Sequence, residues 1–490
     1  MLFSSVTFLF FFLPIVLTLY LPPFPKWRSF LFVISCFVFY AWSQGGYILA
    51  LFASIFFNYL FGLWIGRLDG ALRVFGGRVD AKKALLSFGL AFNLLFLALF
   101  KYTNFLVINV DLLLNRLGMP QFHAFGVYAP LGISFFTFHA ISYLVDIYRG
   151  DAPVQRNPGA LAIYMAAFPK VLAGPIWRYR AAAHQLDRPL VTVAGFACGI
   201  ERFITGLAKK VLLANPLGVA ADAAFGLRPE NLAPYSAWAG VLCYTLEIYF
   251  DFSGYSDMAI GLGKMFGFEF PENFNFPYIS QSVREFWRRW HISLSLWFKD
   301  YLYIPLGGDR RSPERTCLNL LCVFLLCGLW HGANWTFIIW GAWYGIFLFL
   351  ERTRFGVLME RAPRALRHLY LMAVVIIGWV FFRADSVSFA FTYLKTMFGL
   401  HCGNVRTGHF AVYFNNEVFA VFAVAVLLCL PASSWIKMLA ARRPVGSASS
   451  RGYRAAGFYV PYAFFLSFVF FVSILSLAGG THKAFIYFRF

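Results

Sequence analysis

Charge is the scarcest property of this 490-residue chain: Asp, Glu, Lys and Arg together make up 13% of it. A soluble protein carries roughly a quarter. With 60% of its residues hydrophobic, the chain cannot give a soluble fold a polar surface, so lipid must satisfy the apolar runs. Acidic residues are the fewest, 22 against 42 basic ones, for a net charge of +20. The basic residues lie between apolar spans and form no single patch. That excludes a nucleic-acid reading and fits the Lys/Arg bias of cytoplasmic loops. Among the eight cysteines there is no C-x-x-C pair for zinc or redox work, and seven fall in or beside apolar runs, outside any disulfide framework. Also missing are a G-x-S-x-G elbow, an H-E-x-x-H helix, a Walker loop and a tight carboxylate pair. Serine hydrolases, zinc proteases, P-loop NTPases and glycosidases are thereby set aside. With no repeat, low-complexity linker or soluble domain, a single membrane domain over residues 1–490 is expected.

What is present is a succession of apolar segments, so the expected fold is an all-α, polytopic integral membrane protein in a lipid bilayer. Phe3–Leu21 lacks a basic n-region and a small-residue cleavage site and reads as a retained first span. Ser29–Trp42, which is short, Gly46–Gly66 and Ala84–Phe100 follow, the last stopped by Lys101. Between Tyr102 and Pro189 the pattern loosens, and Phe168–Ile176 holds two prolines and a lysine. Such segments fit re-entrant or broken helices, whose irregular backbone needs protein or trapped water around it. Val191–Ala214 mixes Glu201, Arg202, Lys209 and Lys210 with apolar residues, the composition of a helix lying at the interface. Trp238–Phe250 leads into Asp251 and Asp257. Gly261, Gly263 and Gly267 have no preceding strand, so they suggest close helix packing instead of a dinucleotide loop. Cys317–Leu350 crosses twice with a break at His331–Gly332. Its first arm, about 14 residues or roughly 21 Å, is too short to span the hydrocarbon, which puts His331 inside the membrane. Tyr370–Phe382, Val418–Pro431 and Tyr459–Leu477 complete the series. The basic loops at 67–83, 352–367 and 437–454 then share the cytoplasmic side, which leaves both termini outside.

The chemistry concentrates between Pro271 and Trp335. His291 beside Trp290 and His331 beside Trp330 sit where an ionisable group is costly, so both are functional candidates. The plainer reading is a hydrogen-bonded niche between helices. A buried imidazole is expected to be neutral, which would let His331 accept a proton from a hydroxyl. Trp330 and Trp335 would wall the site, Gly332 would give a substrate close access, and Asn334 completes the motif. If Gln281–Trp290 is helical, Arg284, Arg288 and His291 fall at i, i+4 and i+7 on one face. With Arg289 they would suit an anionic donor such as a phosphorylated thioester carrier, although arginines there would equally anchor a broken helix at the headgroups. Asp251 and Asp257 offer an ion or proton site, on which a transporter or conduit reading rests. No metal site is expected.

The segments Tyr249–Phe270, Asn273–Gly308 and Trp330–Gly332 closely resemble the membrane-bound O-acyltransferase family, most of all its bacterial alginate O-acetyltransferase branch. Residues 130–150, 170–176, 206–215, 379–384 and 485–490 add matches over nearly the whole chain. The resemblance implies a ring of about 10–12 transmembrane helices, each of about 20 residues, around a thin centre with a tunnel between the faces. It implies transfer of acetyl from cytoplasmic acetyl-CoA, the donor substrate, across the bacterial inner membrane. The acceptor would be an exopolysaccharide hydroxyl or a periplasmic polysaccharide acetyltransferase partner. It carries the principal catalytic role to His331 and the second motif histidine to His291, with Asp251, Asp257, Trp290 and Trp330 in support. Residues 385–416 are where acceptor identity would differ. A D-alanyl transferase for wall polymers, or a scaffold for a soluble transferase, are the further readings.

Overall fold

The computed structural model describes residues 1–21, 25–68, 71–74, 77–122, 126–187, 189–310, 312–401, 412–431, 448–480 and 485–486. Arg311, most of the basic segment 437–454 and most of the 485–490 motif therefore lie outside the described residues, as do residues 402–411 of the proposed acceptor-determining region. A π-helical turn, Phe8–Phe12, runs into α1 (Leu13–Tyr20), followed by α2 (Pro25–Gln44) and α3 (Ile48–Arg67). At 20 residues α2 reaches the length a bilayer needs, longer than its apolar run alone suggests. The basic loop after α3 contains an antiparallel hairpin, β1 (Ala71–Val74) and β2 (Gly77–Asp80), with Arg73 opposite Arg78. Asp80 then caps α4 (Ala81–Lys101), accepting from the backbone N–H groups of Lys82 and Lys83. Among the described residues, six helical stretches are long and apolar enough to cross a membrane: 27–67, 81–101, 193–225, 313–331, 364–383 and 460–478. The protein is helical apart from that hairpin among the described residues.

The loosely patterned region forms α5 (Thr103–Arg116), α6 (Ile133–Arg149), α7 (Pro158–Ala166) and α8 (Tyr179–Leu186). The chain between α7 and α8 is non-helical yet buried from Ala167 to Trp177, as the broken-helix reading requires. Its backbone is satisfied by protein. The N–H of Phe168 donates to Cys36 Sγ (3.4 Å), that of Ile176 to Ser293 Oγ (2.9 Å) and that of Trp177 to His139 Nε2 (3.2 Å).

Next come α9 (Val193–Ala208), a π-helical stretch at Lys209–Ala214, α10 (Asn215–Phe225) and α11 (Pro234–Met265). The expectation of an interfacial helix at 191–214 is not met. Three of its four charges turn inward onto α11, Arg202 and Lys209 pairing with Asp257 at 2.7 and 2.6 Å and Lys210 with Asp251, while Glu201 is exposed. Nor does α11 stop at Phe250; its backbone continues for 32 residues, and every residue from Cys243 to Gly263 is buried. A helix enclosed all round is the core of the molecule.

The small residues of α11 allow that enclosure. A Cβ on Gly254 would lie 2.7 Å from the carbonyl oxygen of Gly206, and one on Gly206 would lie 2.5 Å from that of Gly254. Gly199 and Gly261 face each other in the same way, at 2.6 Å in both directions. Backbone meets backbone here, so neither side can yield. Gly254→Leu is accordingly expected to cost about 3 kcal/mol or more, beyond ordinary overpacking. The check is thermal melting of purified protein in detergent, and an unchanged melting temperature would show that α9 and α11 are further apart.

The second half contributes α12 (Val283–Arg289), α13 (Ile292–Phe298), a π turn at Lys299–Tyr303, α14 (Pro313–His331) and α15 (Trp335–Leu350). After them come α16 (Arg354–Arg361), α17 (Arg364–Arg383), α18 (Val387–Met397), α19 (Asn416–Leu428) and α20 (Ala448–Ala478). The arm before His331 is longer than its apolar run, because Ser312 caps Arg315 N–H and Pro313 begins the first turn. Nineteen residues give a helix of roughly 28 Å, so shortness is not what places His331. Just before α14, Asp309 accepts from the Tyr303 hydroxyl (2.6 Å) and from Arg352 (2.9 Å), which hold its carboxyl below the usual range. Both α4 and α14 thus leave a basic loop and, as described next, end at the same point.

Candidate functional site

His331 is the last residue of α14, where Gly332 turns extended and Asn334 caps α15. The Asn334 side chain accepts from Thr336 N–H (3.2 Å) and donates to the carbonyl of Asp385 (3.0 Å), so its role is to shape the break. The His331 imidazole is buried edge-on against Trp340 (5.0 Å between ring centroids) and Phe382 (5.1 Å), with Trp330 at 4.8 Å. Trp330 in turn stacks on Phe138 of α6 at 5.0 Å.

A helix end leaves carbonyls without intrahelical partners. For α14 they are met from the tip of α4. Lys101 Nζ donates to the carbonyls of Trp330 (2.5 Å) and His331 (3.1 Å) and to Ser134 Oγ (3.4 Å), and Tyr102 donates to the carbonyl of Leu329 (3.0 Å). Three acceptors use the three protons of an ammonium, and a cation suits a helix C-terminus. Sequence reasoning took Lys101 for a mere stop to the fourth span. Its only sequence signal was a lysine flush with the end of an apolar run.

His291 lies in the tight connection between α12 and α13 with φ +43°, in the left-handed region. Its Nδ1 lies 3.4 Å from Asn273 Oδ1, and its ring packs edge-on against Phe252 at 4.6 Å. Trp330 is 6.5 Å away, so both imidazoles border the same indole. The structure therefore brings together the two histidines that the sequence singled out.

It does not bring the arginines with them. α12 ends at Arg289, and the carbonyl of Arg289 accepts from Asn275 N–H, which turns His291 off the helix face. Arg284 and Arg288 are exposed, while His291 is buried. Arg289 pairs with Glu285 at 2.9 Å and donates to the carbonyl of Asn275. Trp290 sits among Phe274, Phe286 and Trp379 as an aromatic floor. Two further expectations need correction. Trp335 is 52% exposed and bonds Asn109, so the wall is formed by Trp340. Gly332 does not open space for a substrate, because the ring of Phe337 fills the place of its Cβ, at 2.2 Å. Asp251 and Asp257 are engaged in the ion pairs with α9 and the π segment, and Asp251 also accepts from Ile486 N–H (2.8 Å), which removes the basis for an ion pathway through them.

His331, Trp330 and Lys101 line a half-open cavity of about 170 Å³ together with Pro130–Phe135 and Leu172. The His331 ring itself packs on Trp340 and Phe382, and a neutral imidazole beside such a cavity can take a proton from a hydroxyl that reaches it. No group of His, Cys, Asp and Glu among the described residues is gathered to hold a metal.

The model of the membrane-bound O-acyltransferase family matches residues 157–393. The chain is 47% identical over 401 residues to a probable alginate O-acetylase of Pseudomonas aeruginosa, covering 81% of this chain and 75% of that one. It is 46% identical to the corresponding protein of Azotobacter vinelandii, covering 81% and 78%. A peptidoglycan O-acetyltransferase of Helicobacter pylori is 36% identical over 444 residues, covering 82% and 80%.

Proposed function

The chain belongs to the membrane-bound O-acyltransferase family, and from that premise we propose that it carries acetyl from cytoplasmic acetyl-CoA across the bacterial inner membrane. The acceptor is a hydroxyl of an alginate-like exopolysaccharide or of a periplasmic transferase serving it. The observation that carries this reading is His331, at the wall of a cavity reached by the ends of α4 and α14 that lie away from their basic loops. Cytoplasmic placement of those loops leaves the cavity to the acceptor and puts both termini outside.

In this reading the His331 imidazole takes the hydroxyl proton while the hydroxyl oxygen attacks the thioester carbonyl. The tetrahedral intermediate collapses, the carbon–sulfur bond breaks, and the thiolate of CoA leaves and takes up the proton. His291 supports His331 from across Trp330. The exposed Arg284 and Arg288 meet the phosphates of the donor at the cytoplasmic end, by charge and bidentate geometry.

The test uses purified protein in oriented vesicles with labelled acetyl-CoA on the basic-loop face and a hydroxyl acceptor on the other. Label should appear on the acceptor with one CoA freed per acetyl moved. Label crossing without CoA release, or only with a soluble transferase on the donor side, would make the protein a conduit.

A further inference from the structure

We propose that Asn273 is a positioning residue that decides which nitrogen of His291 carries the proton. Asn273 follows α11 in the loop before α12 and makes bonds in several directions. Its Oδ1 accepts from the backbone N–H of Ser293 (3.2 Å) and from Ser293 Oγ (2.6 Å). Its Nδ2 donates to Ser256 Oγ (3.1 Å), and its carbonyl accepts from Ile292 N–H (3.0 Å).

An amide side chain can be turned over to exchange its oxygen and nitrogen, so the identity of the atom facing Ser293 has to be argued. A backbone N–H can only donate, which makes that atom the oxygen. The same oxygen lies 3.4 Å from His291 Nδ1. Two lone pairs facing each other would repel, whereas an N–H there donates. His291 therefore carries its proton on Nδ1, and Nε2 is the basic nitrogen of the ring. Asn273, Ser256, Ser293 and His291 are each no more than 2% exposed, so bulk water cannot replace the amide. The hydroxyl of Ser293 is itself anchored, since it accepts from Ile176 N–H in the buried broken segment. The amide oxygen is thus aimed by contacts from two separate stretches of chain, one of which is itself tied to a third through Ser293. They also hold His291 in its left-handed backbone conformation, which a non-glycine residue keeps only when its surroundings impose it.

The consequence for turnover rests on the reading that His291 supports acyl transfer. With the proton on Nδ1, the lone pair on Nε2 can accept a hydrogen bond during the reaction; with the proton on Nε2 it cannot. Asn273→Leu removes the acceptor and leaves the tautomer to other influences, while Asn273→Asp keeps an acceptor oxygen in place.

The experiment records ¹⁵N ring shifts of histidine-labelled protein in lipid nanodiscs, with His291 assigned by difference from His291→Gln. Wild type and Asn273→Asp should both show the Nδ1–H form, and Asn273→Leu should show a substantial Nε2–H population. In CoA-release assays, Asn273→Leu should lower kcat at least about tenfold, the loss expected of a wrong tautomer, with KM for acetyl-CoA within about twofold. Asn273→Asp should retain most of kcat. An Nε2–H signal in wild type, or Nδ1–H persisting in Asn273→Leu, would overturn the proposal. If Asn273→Leu does not fold, the wild-type and Asn273→Asp spectra decide the matter. Full activity in His291→Gln alongside the expected spectra would instead refute the supporting role of His291 and leave the tautomer assignment standing.

Discussion

Purified His331→Ala is expected to lose acyl transfer by a factor of about 10²–10⁴, the usual contribution of a positioned general base. Folding should survive, because what anchors this end of α14 is not the ring. Lys101 and Tyr102 hold the carbonyls of residues 329–331, and alanine keeps that backbone. The lost ring contacts with Trp340 and Phe382 should lower the melting temperature by only a few degrees. His331→Gln, closer in volume, should melt still nearer to wild type and be equally inactive. The measurement is CoA release per folded protein, with folding followed by melting in the same detergent. Activity within tenfold of wild type in a folded His331→Ala would mean that another group takes the proton.

The second large effect concerns stability. Lys210 and Asp251 form an ion pair between the π segment and α11, with side chains 6% and 2% exposed. Removing one partner leaves a buried charge alone, which costs about 3–5 kcal/mol, whereas replacing both by apolar residues is often neutral. Lys210→Met and Asp251→Leu should each strongly lower the melting temperature, and the double variant should recover most of the loss. Asp251 also accepts from Ile486 N–H, so Asp251→Leu should be the worse single change. A double variant as unstable as the sum of the two would show that the carboxylate and the amine act independently.

Much of this molecule is readable from residue order alone, for identifiable reasons. The break at His331–Gly332 announces itself through its neighbours, since Gly and Asn interrupt an otherwise apolar run. Gly261 was likewise legible as a packing residue, because no strand precedes it, whereas Gly254 carried no such signal and Gly267 lies past the end of α11. What escaped depended on partners distant in the chain. Lys101 and His331 are 230 positions apart, and nothing local to either predicts their meeting. The error over Trp335 was one of register: once Asn334 caps α15, Trp335 falls in the first turn facing outward, and Trp340 takes the inner face. For Arg284, Arg288 and His291, the i, i+4, i+7 argument assumed a continuous helix, and the left-handed residue at 291 breaks it. Charges in 191–214 suggested headgroups because their acidic partners belong to another helix.

Because α4 grips the end of α14, the proposed base is pinned at one depth. Transporters that alternate access rock one bundle against another, so that a fixed ligand meets each compartment in turn. On the proposed reading the reactive nitrogen would stay where it is, and the two reactants would travel to it from opposite compartments. The arrangement also makes the length of α4 a matter of meshing. One inserted residue would rotate its tip by about 100° and slide it by about 1.5 Å, carrying Lys101 off the carbonyls it holds. Evolutionary drift by insertion should therefore be confined to loops such as 117–122, while the span from Ala81 to Lys101 keeps its count.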